Sequence, residues 1–118
     1  VKARLRPRRP EGSSCIETGG VSVDPAAHEA FLHGVRLKLT PKEFGVLLEL
    51  AKAAGNPVSA KALYESVWNE PFNHSAANSV MVHIRRLREK LAEVDPSEEV
   101  VATVWGVGYR IEAGKGGR

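Results

Sequence analysis

Arg85, Arg86, Arg88 and Lys90 lie within a span of six residues. A guanidinium presents its N–H donors as a rigid planar fork that matches guanine O6 and N7, or two oxygens of a phosphate, whereas an ammonium acts as a point charge. A cluster of such side chains is suited to recognising an anion. The same residues are also compatible with a solvated helix face on which Glu89 and Glu93 are ion-pair partners. The wider charge distribution is uneven, and by itself it leaves both readings open. Residues 1–10 carry five basic and no acidic side chains and residues 78–93 four and two, while residues 11–77 carry five and eight. The net charge of +3 is therefore carried by a leading arm and one later segment, a pattern suited to a polyanion.

Catalytic chemistry finds little support. His28-Glu29 followed by His33 approaches a zinc-protease pattern, but the second histidine is one residue too far for a shared helical face, and the segment reads as strand and turn. Gly106-Val107-Gly108 lacks the following helix that a phosphate loop needs, so it reads as the shape of a turn. Cys15 is the only cysteine; it can form no internal disulfide, and no base stands near it in sequence to make it a nucleophile. We expect no enzyme activity, no metal and no cofactor.

The basic side chains need a rigid element beneath them, and the pattern from Ser75 to Glu93 provides one. With Val80 at zero and about 100° per residue, Ile84, Leu87, Leu91 and Val94 fall within about 40° of one line. That line is a core face. Asn78, Val82, Arg85, Arg86 and Glu89 point the opposite way, with Ser79, His83 and Lys90 on one flank and Met81 and Arg88 on the other. Two shorter helices precede it. Thr40-Pro41-Lys42-Glu43 reads as a capping box with proline at the first helical position, followed by a buried stripe of Phe44, Leu47, Leu48 and Ala51, with Gly55 placed as a left-handed cap. Ser59 caps the second, in which Leu63 and Val67 are one turn apart and Trp68 ends the helix before Pro71.

Ahead of the helices, short apolar runs between residues 14 and 38 are separated by Gly19-Gly20, Asp24-Pro25 and His33-Gly34, the spacing of hairpins in a small antiparallel sheet. Behind them, Val100–Val104 and Tyr109–Glu112 flank Trp105-Gly106-Val107-Gly108 as a closing hairpin. The fold class expected is α+β: sheet, three helices, hairpin, the order of a winged helix-turn-helix. At 118 residues, with 42% hydrophobic and 26% charged side chains, the chain suits one domain and has no run long enough to span a membrane. We assign residues 1–13 to a basic interdomain linker, 14–113 to the domain and 114–118 to a flexible tail. The opening valine and the single internal methionine, Met81, lead us to expect a piece of a longer protein. In such a fold Arg86 is central on the exposed face and can address a guanine, while Arg85, Arg88 and Lys90 reach the phosphate rows beside it.

Three segments carry a specific resemblance. NSVMVHIRRLREKL (Asn78–Leu91), TVWGVGYRI (Thr103–Ile111) and LTPKEFGVLLEL (Leu39–Leu50) resemble the recognition helix, wing and first helix of the OmpR/PhoB class of response-regulator effector domains, and stand in that family's order. The leading VKARLR is similar to the end of a receiver-domain helix with its linker. The resemblance implies a winged-helix domain that binds double-stranded DNA in sequence-specific fashion. It implies base contacts from Asn78, Ser79, Met81, Val82 and Arg86, and phosphate contacts from Trp68, His83, Arg85, Arg88, Thr103 and Tyr109. Where the family often has a wing-tip arginine for the minor groove, this chain has Trp105. An indole lacks the cation that a narrow groove attracts, so we read Trp105 as packing against the domain, the alternative being a sugar edge.

The same resemblance implies a cytoplasmic two-component regulator that binds direct repeats as a dimer on DNA, a sensor kinase acting through a receiver domain outside this segment, and RNA polymerase addressed by the loop Asn69–Ala77. Two other readings stay open at this stage. One is a winged-helix module that docks a protein through Met81, Val82 and Trp105. The other is the DNA-binding domain of an activator without a receiver, such as the SARP type.

Overall fold

The computed structural model describes residues 16–18, 20–53, 55–96 and 100–111. The assigned linker, the tail, Cys15 and Glu112 lie outside them. Four short strands come first: β1 (Ile16–Thr18), β2 (Val21–Asp24), β3 (Glu29–Leu32) and β4 (Val35–Arg36), antiparallel in the order β1-β2-β3-β4. Val21, Val23, Ala30 and Leu32 are buried on one face of this sheet. Leu32 pairs with Val35, so the β3–β4 turn holds only His33 and Gly34, both at positive φ (52° and 84°). That is the geometry a two-residue hairpin demands. At the other end of β3, His28, also at positive φ, stacks on Phe44 at 4.7 Å. The two histidines of the protease-like pattern are thus turn residues with structural partners. Among the described residues no group of three acidic, histidine or cysteine side chains is placed to hold a metal ion.

Helix α1 (Pro41–Lys52) opens on the predicted capping box: Glu43 N donates to Thr40 Oγ1 at 3.3 Å, and Thr40 N donates to Glu43 Oε1 at 3.0 Å. Its buried surface is wider than the predicted stripe. Glu43, Phe44, Val46, Leu47, Leu50 and Ala51 are buried and Leu48 only half so. The reason is position: α1 packs against the sheet, both other helices and the hairpin, so more than one face leaves water. Its C-cap is Ala53, in the right-handed region, and Gly55 takes φ +93° in the turn beyond it. Gly55 is the left-handed residue expected there, but it lies past the cap.

Helix α2 (Ala60–Trp68) begins where Ser59 Oγ accepts from Ala62 N at 3.0 Å, and ends on Asn69 in the left-handed region. Leu63 and Tyr64 are buried. Val67 approaches α1 so closely that a Cβ on Gly45 would stand 2.9 Å from its Cγ1, which accounts for a glycine inside a helix despite a propensity cost of about 1 kcal/mol. Helix α3 (Ala76–Val94) follows, with Val80, Ile84, Leu87 and Leu91 buried as predicted and Val94 half-buried at its end. Strands β5 (Val101–Val104) and β6 (Gly108–Ile111) close the chain as an antiparallel hairpin. Residues 58 and 109 exchange both backbone bonds, Val58 N to Tyr109 O at 2.7 Å and Tyr109 N to Val58 O at 2.9 Å, which fastens the hairpin to the domain. The order of elements is the one predicted.

Candidate nucleic-acid interface

Burial of Val80, Ile84, Leu87 and Leu91 fixes which way α3 faces. Asn78, Met81, Arg85, Arg86 and Glu89 are exposed, and Ser79, Val82, His83, Arg88 and Lys90 are half-buried along its borders. The predicted base-contact set is brought together on about two turns of the helix, with Ser79 and Val82 at its edge rather than its crest. Among the described residues no carboxylate pairs with Arg85 or Arg86.

The two flanks of α3 are tied down. Lys90 Nζ donates to Glu43 Oε1 at 2.5 Å, and Glu43 is 1% exposed. Lys90, expected on a phosphate row, is therefore turned toward α1. Burial opposes ionisation of the Glu43 carboxyl, but the Lys90 hydrogen bond, the Thr40 N–H and the charges of Lys90 and His83 outweigh it, so its pKa is lowered. On the other flank, Arg88 Nε donates to Val101 O at 2.9 Å and Nη2 donates to Thr103 Oγ1 at 2.7 Å. Arg88 and Thr103, both expected on phosphates, are each other's partners. Sequence could not have disclosed either link, because angular position on a helix names a face and not what lies beside it.

Trp68 is half-buried at the end of α2 and held by aromatic neighbours. It stacks on Tyr64 at 5.0 Å with planes 14° apart, meets His83 edge-on at 5.0 Å, and has Lys42 Nζ 5.6 Å from its ring centre. His83 Nδ1 lies 2.8 Å from Ser79 O, a carbonyl that can only accept, so Nδ1 carries the proton. The loop before α3 is tied down by its own bonds: Phe72 N donates to Glu65 Oε2 at 3.2 Å, and Ser75 N to Asn73 Oδ1 at 3.0 Å.

Trp105 stands at the tip of the hairpin, 89% exposed, beside Val107 at 51%. Packing against the domain is thereby overturned. Val104 pairs with Gly108, leaving three residues for the turn, and Gly106 at φ +80° carries the chain round with the indole outside. Tyr109, half-buried, sits in β6 opposite Thr103.

Residues 34–111 match the family described as "Transcriptional regulatory protein, C terminal". The regulatory protein VanR of Enterococcus faecium is 36% identical over 118 aligned positions, covering 95% of this chain and 51% of the relative. The chain thus spans about half the length of that curated relative. Among solved structures, the C-terminal DNA-binding domain of RstA from Klebsiella pneumoniae superposes with a TM-score of 0.74 at 29% identity, covering 92% of this chain and 94% of that one. The Klebsiella pneumoniae RstA DNA-binding domain in complex with the RstA box gives 0.68 at 30% identity, covering 82% and 95%. With sheet, three helices and wing in place and the match running from β4 through β6, this chain belongs to the transcriptional regulatory protein C-terminal family, the winged-helix effector domains of OmpR/PhoB-type response regulators.

Proposed function

We propose that the chain binds double-stranded DNA in sequence-specific fashion and so directs transcription for a two-component response regulator, with α3 in the major groove and the β5–β6 hairpin as the wing beside it. The observation that carries this is the division of α3: its apolar side is sunk in the core, while Asn78, Met81, Arg85 and Arg86 are exposed. A groove about 12 Å wide accepts one such helix. Similarity to a domain solved in complex with its DNA box supports the same reading. Function here is binding, not catalysis.

In this reading Asn78, Ser79, Met81, Val82 and Arg86 face base edges, and Trp68, His83, Arg85, Arg88, Thr103 and Tyr109 line the phosphates, directly or through one another. Trp105 leads the wing. The domain spans residues 14–113, behind a linker of residues 1–13 and ahead of a tail of residues 114–118. A receiver domain outside this sequence takes the signal from a sensor kinase, two copies occupy direct repeats, and the loop Asn69–Ala77 faces RNA polymerase. In this reading the site of action is the cytoplasm.

Exposed apolar side chains at Met81 (52%), Trp105 and Val107 favour a second reading, a protein-docking module. Selection of bound duplexes from random DNA, followed by a salt titration of the winners, separates the two. Enrichment of a repeated motif whose affinity falls steeply with salt is the expected result. No enrichment, or an affinity indifferent to salt, overturns the proposal.

A further inference from the structure

Arg88 occupies the flank of α3 that borders the wing, and its contacts have an unusual distribution. Two donors of its fork are given to neutral acceptors in one strand, Val101 O and Thr103 Oγ1, two residues apart in β5. Among the described residues no carboxylate neutralises it. A threonine hydroxyl has one proton and two lone pairs. When Oγ1 accepts from Arg88, its own O–H is left to donate, and the cationic donor polarises that O–H so that it donates more strongly. Val58 and Tyr109 fix the other strand of the hairpin to the domain. The wing is thus held at β6 by backbone and at β5 by Arg88.

We infer that Arg88 is a positioning residue, which locks recognition helix and wing into one rigid surface and turns the Thr103 hydroxyl outward as the donor to a DNA phosphate. This rests on the placement of α3 and the wing on DNA proposed above. It assigns one phosphate contact to the pair, with Thr103 touching the phosphate and Arg88 acting through it. The alternative is that Arg88 and Thr103 bind separate phosphates independently.

The test is a double-mutant cycle on a selected duplex, with Arg88→Lys, which keeps the charge and loses the fork, and Thr103→Val, which keeps the shape and loses the hydroxyl. Each single variant is expected to weaken binding about tenfold, and the double variant scarcely more than either, since coupled residues do not add. Thr103→Ser should recover most of the affinity lost in Thr103→Val. In the free protein, Arg88→Lys should speed amide hydrogen exchange in β5 and β6 without moving the urea midpoint of the whole domain by more than a few tenths molar. Losses that multiply in the double variant overturn the inference, as does unchanged exchange in the wing. A wild-type protein that binds no duplex at any salt concentration instead defeats the proposed function, while the exchange measurement still reports on the Arg88 link.

Discussion

Replacing Lys90 with methionine keeps the aliphatic stem and removes the charge that faces Glu43. The carboxylate left behind is 1% exposed and retains one neutral donor, Thr40 N at 3.0 Å. Uncompensated buried charges cost about 3–5 kcal/mol. The lower end applies here, because the Thr40 bond survives and the Lys90 side chain is itself 31% exposed. Lys90→Met should therefore lose about 3 kcal/mol at neutral pH. Glu43→Gln should lose only about 1 kcal/mol, since the amide oxygen can still accept from Thr40 N and the ammonium can reach water. The pH dependence gives a second, independent sign. In the wild type the Glu43 pKa is lowered from its ordinary 4.5, so its contribution is complete above that value and is lost as pH falls below it. Without Lys90 burial prevails, the carboxyl shifts upward, and its protonation on acidification relieves the penalty. Urea denaturation at pH 7 and pH 4 reads both effects, the gap between Lys90→Met and wild type narrowing in acid. A gap that is under 1 kcal/mol at pH 7, or equally large at pH 4, would refute the claim that this pair is a buried link between α1 and α3.

Arg86→Ala should cost about 1–3 kcal/mol on a selected site and little on random DNA, measured by competition; equal loss on both would remove Arg86 from the base-reading set. For Arg85→Ala the expectation is reversed: weakening on all sequences, and a salt slope shallower by about one, read from affinities at several salt concentrations. Gly108→Ala places a Cβ 2.0 Å from Val58 O, so the bridge between hairpin and domain must open. A loss of about 2–3 kcal/mol in thermal unfolding, with weaker DNA binding, is the expected outcome; wild-type stability would mean the wing is not anchored there.

What could be read from sequence divides along a physical line. Local rules reached the capping box at Thr40 and Glu43, the Ser59 cap, the two-residue turn at His33-Gly34 and the inward stripe of α3, because each depends on residues within about one turn or hairpin of one another. They failed where the neighbour comes from elsewhere in the chain. Lys90 meets Glu43 across 47 residues and Arg88 meets Thr103 across 15, and no periodicity reports such meetings. The breadth of burial on α1 failed for the same reason, and so did Trp105, whose exposure follows from a hairpin projecting beyond the core.

These failures change the meaning of the charge cluster. Of the four basic side chains between residues 78 and 93, Lys90 fastens α3 to α1 and Arg88 fastens it to the wing. Arg85 and Arg86, which precede both ties in the chain and fall between the two flanks around the helix, are the exposed ones. A charge count treats all four alike, as a field that draws in a polyanion. The structure separates them by role. Two hold the helix at fixed height and rotation, and in the function proposed above that frame is what lets the fork of Arg86 present its donors to a guanine.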